Sequence, residues 1–393
     1  MVSSSVSAAA LPDDVPGSDV PAADTDASAA LTERLRAANR RATRWLPGSP
    51  VPPPAEELAA LAAEVSSADG DAQAWDRYGE GGAVAAVEAR VVDLLGKPAA
   101  AMFPSGTMAQ QAVLRVWSDR KGSLRVALPQ LSHLLHHELD GPRLLHGLRF
   151  EHLSTGAELP TREALAKVPG PLAAVLLELP LRDAGYLLPT WDELSSFAAL
   201  CQEKEVPLHF DGARLWESAP YLGHGLAEIA GLADTAYVSF YKGLGGLAGA
   251  AVAGPEDVVA EVRQWRQRMG GTLFTMQPYA VSALRGLREE VPRMAKYHDY
   301  AVGLAERLPD LGIAVFPDPP HTNAFRILVP VETEVVMSRL LTFAEAEKAV
   351  LTPPWRPADV PGWSWTEFTV GSATLGWTVD DAAALLAKVL LTD

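Results

Sequence analysis

Short apolar runs separated by helix-like stretches constrain this chain more than any other feature. Ala99–Phe103, Leu124–Leu128, Leu172–Leu179, Pro207–Phe210 and Thr235–Phe240 each read as a strand with no polar face, and Leu247–Ala253 as one more. A strand apolar on both sides must be covered on both sides, which crossover helices do for a mostly parallel sheet. The amphipathic stretch Val84 to Leu95, stopped by Gly96, and the helix opened by Ser105-Gly106-Thr107 fit that role. After about residue 291 the pattern changes. Thr322–Val329 and Trp365–Val370 read as strands and Asp380–Leu391 as a last helix, so a smaller α+β domain is expected over residues 291–393, with the large α/β domain over 55–290.

Ahead of these lie two segments of different character. Residues 1–30 are rich in Ala, Ser, Asp and Pro and bury too little apolar area to offset ordering, so disorder is expected. Residues 31–54 hold an Arg-rich helix with a solvated face and a Pro-rich linker. The 393 residues are 48% hydrophobic, enough for a large core. A net charge of −16 argues against nucleic acid or an anionic membrane as partner. Cys201 is the single cysteine, which excludes an intrachain disulfide. With no apolar run near the roughly 20 residues that span a bilayer, and no basic start with a long apolar core, a cytoplasmic location is expected.

Parallel sheets bind ligands beyond the C-terminal ends of their strands. His209-Phe210-Asp211-Gly212-Ala213-Arg214 and Ser239-Phe240-Tyr241-Lys242-Gly243 each run a strand into a turn, and they deliver a carboxylate and a lysine to that edge. Pyridoxal phosphate chemistry needs this pair: a lysine to hold the cofactor as a Schiff base, and a carboxylate to keep the pyridine nitrogen protonated. Taken singly, Asp211 reads equally as a helix cap and Lys242 as a solvated loop residue. Ser105, Gly106 and Thr107 supply a third part. A helix N-terminus offers free N–H groups and partial positive charge to a phosphate, although an ordinary cap looks the same.

His133, in Ser132-His133-Leu134-Leu135-His136-His137, could stack on the pyridine face or pack as a plain loop residue. Three histidines so close also raise a metal site. No second ligand cluster accompanies them, so no metal is expected. Arg214 could reach a phosphate, a carboxylate or the cofactor's hydroxyl region, or form a structural ion pair.

The order and spacing of these motifs resemble the threonine aldolase and β-eliminating lyase family of fold-type I pyridoxal phosphate enzymes. The likeness rests on Tyr78-Gly79-Glu80, Leu95-Gly96-Lys97, Phe103-Pro104-Ser105-Gly106-Thr107-Met108-Ala109, Ser132-His133, Leu188-Pro189, Asp211-Gly212-Ala213-Arg214-Leu215 and Ser239-Phe240-Tyr241-Lys242-Gly243-Leu244-Gly245. The resemblance implies that Lys242 carries the cofactor, Asp211 meets the pyridine nitrogen, and Gly106 with Thr107 holds the phosphate. It also implies that His133 stacks on the ring and that Arg214 contacts cofactor or substrate. A homodimer or dimer of dimers follows, with the Tyr78 loop meeting a neighbour's site.

Departures from the family pattern bear on the substrate. The usual Arg-Ser-Asp-Thr start is not found. The family's Gly-Gly-Gly-Met-Arg stretch reads Gly270-Gly271-Thr272-Leu273-Phe274, without the arginine. The Glu-Asn-Thr-His-Asn stretch reads Glu178-Leu179-Pro180-Leu181-Arg182-Asp183, and the region of the C-terminal arginine carries Glu367 instead. Arg182 is the expected substitute carboxylate ligand, because a guanidinium suits bidentate binding. The expected activity is cleavage of a β-hydroxy-α-amino acid to glycine and an aldehyde, with His133 or a water it holds as base. β-Elimination to a keto acid and ammonia is the first rival and transamination the second. A non-enzymatic scaffold is a further rival, weakened by the retained Lys242 and Asp211.

Overall fold

The computed structural model describes residues 22–50, 52–67 and 73–392. A two-residue strand, β1 (Arg44–Trp45), precedes the main sheet. That sheet holds β2 (Ala99–Phe103), β3 (Arg125–Leu128), β4 (Arg149–His152), β5 (Ala174–Glu178), β6 (Leu208–Gly212), β7 (Thr235–Ser239) and β8 (Ala250–Gly254). Their spatial order is β2-β8-β7-β6-β5-β3-β4. Only β8 runs against its neighbours; the β7-β6-β5-β3-β4 ladder is parallel throughout.

Alternation along each strand splits the core in two. Ala174, Leu176, Tyr237 and Val252 face one cluster with Val113 and Trp117 of helix Gly106–Lys121. Val175, Leu177, Ala236 and Val238 face the other, with Val84 and Val87 of helix Gly82–Leu95 and Phe197 of helix Trp191–Glu203. The near-continuous apolar runs follow from this double covering. Helix Gly82–Leu95 stops where expected, with Gly96 in the left-handed conformation at φ 58°.

C-terminal to the main sheet, β9 (Ala314–Phe316), β10 (Ala324–Val329), β12 (Arg356–Pro357) and β13 (Ser364–Thr369) form a separate antiparallel sheet, ordered β12-β13-β10-β9. It packs with helices Met294–Arg307, Thr333–Glu347 and Val379–Leu391. The remaining strand, β11 (Ala349–Val350), pairs in parallel with β1. Gly48 continues this contact as a bridge to Val370, so the Pro-rich linker is stitched to the C-terminal region instead of only leading into the large domain.

The N-terminal helix spans Ala22–Asn39 and so begins inside the segment expected to be disordered. Residues 1–21 lie outside the described ones. Leu35 and Ala38 are buried in the core shared with Leu340, Leu341 and Ala344 of helix Thr333–Glu347. Arg34 meets Glu345 at 3.4 Å on its exposed side, and that side matches the solvated face read from the arginines.

Candidate active site

Asp211, Lys242, His133, Arg182, Arg214, Gly106 and Thr107 line one cleft of about 370 Å³ at the C-terminal edge of the main sheet. Register explains the meeting. Asp211 of β6 lies between Glu178 of β5 and Tyr237 of β7, and Lys242 follows the end of β7 by a tight turn. That turn is closed by bonds from Phe240 N to Gly249 O and from Gly246 N to Phe240 O, with Gly245 and Gly249 at positive φ. The glycines therefore make a turn where the apolar run suggested strand, and β8 begins only at Ala250.

The electrostatics suit a bound pyridinium. Asp211 is 3% exposed, and burial raises its pKa while Lys242, the Ala213 N–H and Arg214 pull it down. Burial lowers the pKa of Lys242, and Arg214 adds to the effect, which favours the free amine; Asp211, Glu178 and Glu217 oppose it. His133 is pushed down to about 4 by burial, then by Lys242 and His137, so its ring is neutral at neutral pH.

The phosphate end is equally built. Ser105 caps helix Gly106–Lys121 by accepting from Met108 N at 3.3 Å, and the first two residues of the helix, Gly106 and Thr107, line the cleft. A Cβ at Gly106 would stand 2.0 Å from the Tyr237 hydroxyl, so only glycine fits there. Gly106→Ala is expected to lower cofactor affinity at least about tenfold, since overpacking a buried site costs roughly 1–3 kcal/mol; fluorescence titration with pyridoxal phosphate measures it. The site's donors and shape fit pyridoxal phosphate. Asp211, Lys242 and the Gly106–Thr107 turn are residues that could meet the ring nitrogen, the aldehyde and the phosphate, and all line the one cleft.

Not every expected residue sits in this cleft. Ser105 is exposed and spends its hydroxyl on the cap. Tyr78 lies outside the cleft lining, 58% exposed, and packs edge-on against Phe274 at 5.4 Å. Arg182 is present but engaged: its guanidinium holds Glu367 of β13 at 2.7 Å. Glu367, which would repel a carboxylate alone, is thereby neutralised.

Sequence reasoning missed three buried carboxylates. Glu178 accepts from the backbone N–H groups of His133 at 2.8 Å and Arg182 at 3.2 Å, so it holds both loops. Glu138 receives Gln111 at 3.0 Å and lies 3.8 Å from His133 Nδ1. Burial raises both to about 8. Glu217, 2% exposed, abuts Gly243, where a Cβ would meet its Oε1 at 2.1 Å. Glutamate is normally a surface residue, and nothing local in the chain marks these as buried. Beyond Lys242 and Arg214 a larger cavity opens, lined also by Ser49, Arg285 and Asn323. Among the described residues, no three His, Cys, Asp or Glu side chains are grouped to hold a metal, and no helix is long and apolar enough to cross a membrane.

Comparison with known proteins places this geometry. Residues 56–331 match the beta-eliminating lyase family. The chain is 28% identical over 246 residues to the low specificity L-threonine aldolase of Escherichia coli K12, covering 61% of this chain and 73% of that one. A Listeria monocytogenes EGD-E structure assigned as an L-allo-threonine aldolase superposes with a TM-score of 0.84 at 34% identity, over 92% of this chain and 99% of that one. An Exiguobacterium sp. 255-15 structure assigned as an aromatic amino acid beta-eliminating lyase/threonine aldolase gives 0.83 at 35% identity, over 91% and 99%. The chain belongs to the beta-eliminating lyase family, the threonine aldolase group of fold-type I pyridoxal phosphate enzymes that its motifs resemble.

Proposed function

We propose that this protein cleaves the Cα–Cβ bond of a β-hydroxy-α-amino acid, releasing glycine and an aldehyde. The carrying observation is that Lys242, Asp211 and the Gly106–Thr107 helix start face one cleft. The threonine aldolases among its relatives support the reaction class. Bound in that cleft, pyridoxal phosphate supplies an electron sink for the pair left at Cα when the bond breaks.

The chain's residues divide the remaining work. Lys242, whose amine pKa is lowered by burial, would carry the cofactor and give way to the substrate amine. The Asp211 carboxylate would hold a proton at the pyridine nitrogen. The helix start at Gly106 and Thr107 would hold the phosphate. His133 would stack on the ring, and it or a water it holds would accept the β-hydroxyl proton. Incubation with a panel of β-hydroxy amino acids, read by mass spectrometry for glycine and aldehyde, tests the proposal. A protein that binds the cofactor and cleaves none of the panel refutes it. β-Elimination is the second reading, favoured by the lowered pKa of Lys242, whose amine could take a proton from Cα; keto acid and ammonia would mark it.

Arg182 and Arg214 are the proposed carboxylate ligands. Arg182→Ala is expected to raise KM about 10–100-fold, the weight of a charged hydrogen bond, with kcat changed less. Glu367→Gln should lower KM by releasing the guanidinium from its partner. An unchanged KM in both variants would sink the assignment.

The proposed assembly is a cytoplasmic homodimer or dimer of dimers, in which Tyr78 reaches a neighbour's cleft and Ser105 borders the phosphate. Exposure of Trp75, Tyr78 and Phe274 together, each above half, supports a covered surface there. Residues 55–290 and 291–393 are the proposed large and small domains, with 31–54 as the N-terminal helix and linker.

A further inference from the structure

Five polar side chains, from Trp117 to the cleft residues Gln110 and Asp211, are buried in a row. Trp117 Nε1 donates to Thr235 Oγ1 at 3.1 Å, and His209 Nδ1 meets the same hydroxyl at 2.9 Å. His209 Nε2 meets Gln110 Oε1 at 2.7 Å. Gln110 Nε2 is buried without a bond of ordinary geometry, yet stands near enough to the Asp211 carboxylate to lower its pKa. Exposures are 7% or less from Trp117 through Asp211.

Regular structure makes the row. His209 and Asp211 are two apart on β6 and so share a face. Gln110 and Trp117 are seven apart, two turns on the helix covering that face. Thr235 lies directly across from His209 in the parallel register.

We propose that Trp117, Thr235, His209 and Gln110 form a one-way hydrogen-bond relay that aims a donor at Asp211 and keeps it anionic for the cofactor's pyridinium. The relay runs one way. Indole Nε1 can only donate, so Thr235 Oγ1 accepts there, and in the relay it gives its own hydrogen to His209 Nδ1. The imidazole then carries its proton on Nε2, donates to Gln110 Oε1, and leaves the Gln110 amide hydrogens for Asp211. With the proton on Nδ1, directed at the Thr235 hydroxyl or carbonyl, the Gln110 amide would turn round and set Oε1 against a carboxylate. Burial also disfavours the charged imidazolium, with its pKa lowered to about 3. These are positioning residues. Trp117, Thr235 and His209 lie outside the cleft lining and act through Gln110.

The inference deepens the pyridoxal phosphate reading and rests on it. Thr235→Val removes the hydroxyl while keeping the shape, and Thr235→Ser restores the hydroxyl. In enzyme loaded with ¹⁵N-labelled pyridoxal phosphate, Thr235→Val should move the pyridine nitrogen signal toward the unprotonated position. It should also raise the cofactor dissociation constant about threefold to tenfold, the weight of a neutral hydrogen bond. Thr235→Ser should return both values toward wild type. A folded Thr235→Val with wild-type pyridine signal and affinity overturns the relay while leaving the cofactor reading intact. Should Thr235→Val not fold, ¹⁵N-histidine spectra of the wild-type full chain decide, with His209 assigned by its loss in His209→Gln. An Nε2–H tautomer supports the relay and an Nδ1–H tautomer overturns it, with or without cofactor. Failure of wild type to bind pyridoxal phosphate at all would remove the cofactor reading first.

Discussion

Lys242→Ala is expected to lower turnover by about 10⁴-fold or more, the scale seen when a group that bonds covalently during catalysis is removed. The visible absorbance of lysine-bound pyridoxal phosphate should vanish with it. The fold should survive, because Lys242 is only half-buried and sits in a turn held by backbone bonds of Phe240 and Gly246. Burial and the Arg214 guanidinium lower the pKa of its amine, while Asp211, Glu178 and Glu217 oppose them. Retention of turnover within tenfold of wild type, or of the absorbance band, would refute the assignment of Lys242.

Asp211→Asn should produce the second largest loss. Removing one partner of a buried ion pair costs about 3–5 kcal/mol, or roughly 10²–10⁴-fold in cofactor affinity and rate. The cofactor-free protein should respond in the opposite sense. Burial raises the Asp211 pKa above its ordinary 3.8 in the folded chain. A carboxylate that is harder to ionise folded than unfolded loses stability as pH rises from 3.8 through its folded value. Above that folded value the cost is present in full, so cofactor-free Asp211→Asn should there melt no lower than wild type while binding the cofactor far more weakly. A fall in Tm without loss of cofactor binding would show that Asp211 is merely structural.

Much of this architecture was legible before any coordinates. The apolar runs located six of the seven main-sheet strands because burial on both faces leaves no polar position to confuse the period. The edge strand Arg149–His152 was not legible, since its residues are partly exposed and carry mixed chemistry. The pairing of β1 with β11 was equally invisible. Two residues are too few for a period, and their partners stand some 300 positions away. The start of the run Leu247–Ala253 misled in a simpler way: positive φ at Gly249 keeps the chain in the turn, and the strand begins only at Ala250.

The chemistry divides along the same line. Asp211, Lys242, Gly106 and His133 could be named from the chain alone, because each lies where a strand or helix ends and because an α/β sheet gathers such ends at one edge. Their pKa values, the Arg182–Glu367 pair and the row from Trp117 to Asp211 could not. Those depend on which side chains from distant segments are pressed together without water. Desolvation and short-range hydrogen bonds act over a few ångströms of space, whatever the separation along the chain. Local periodicity in the sequence therefore determined the fold and the site's location, and three-dimensional packing decided the site's charges and partners.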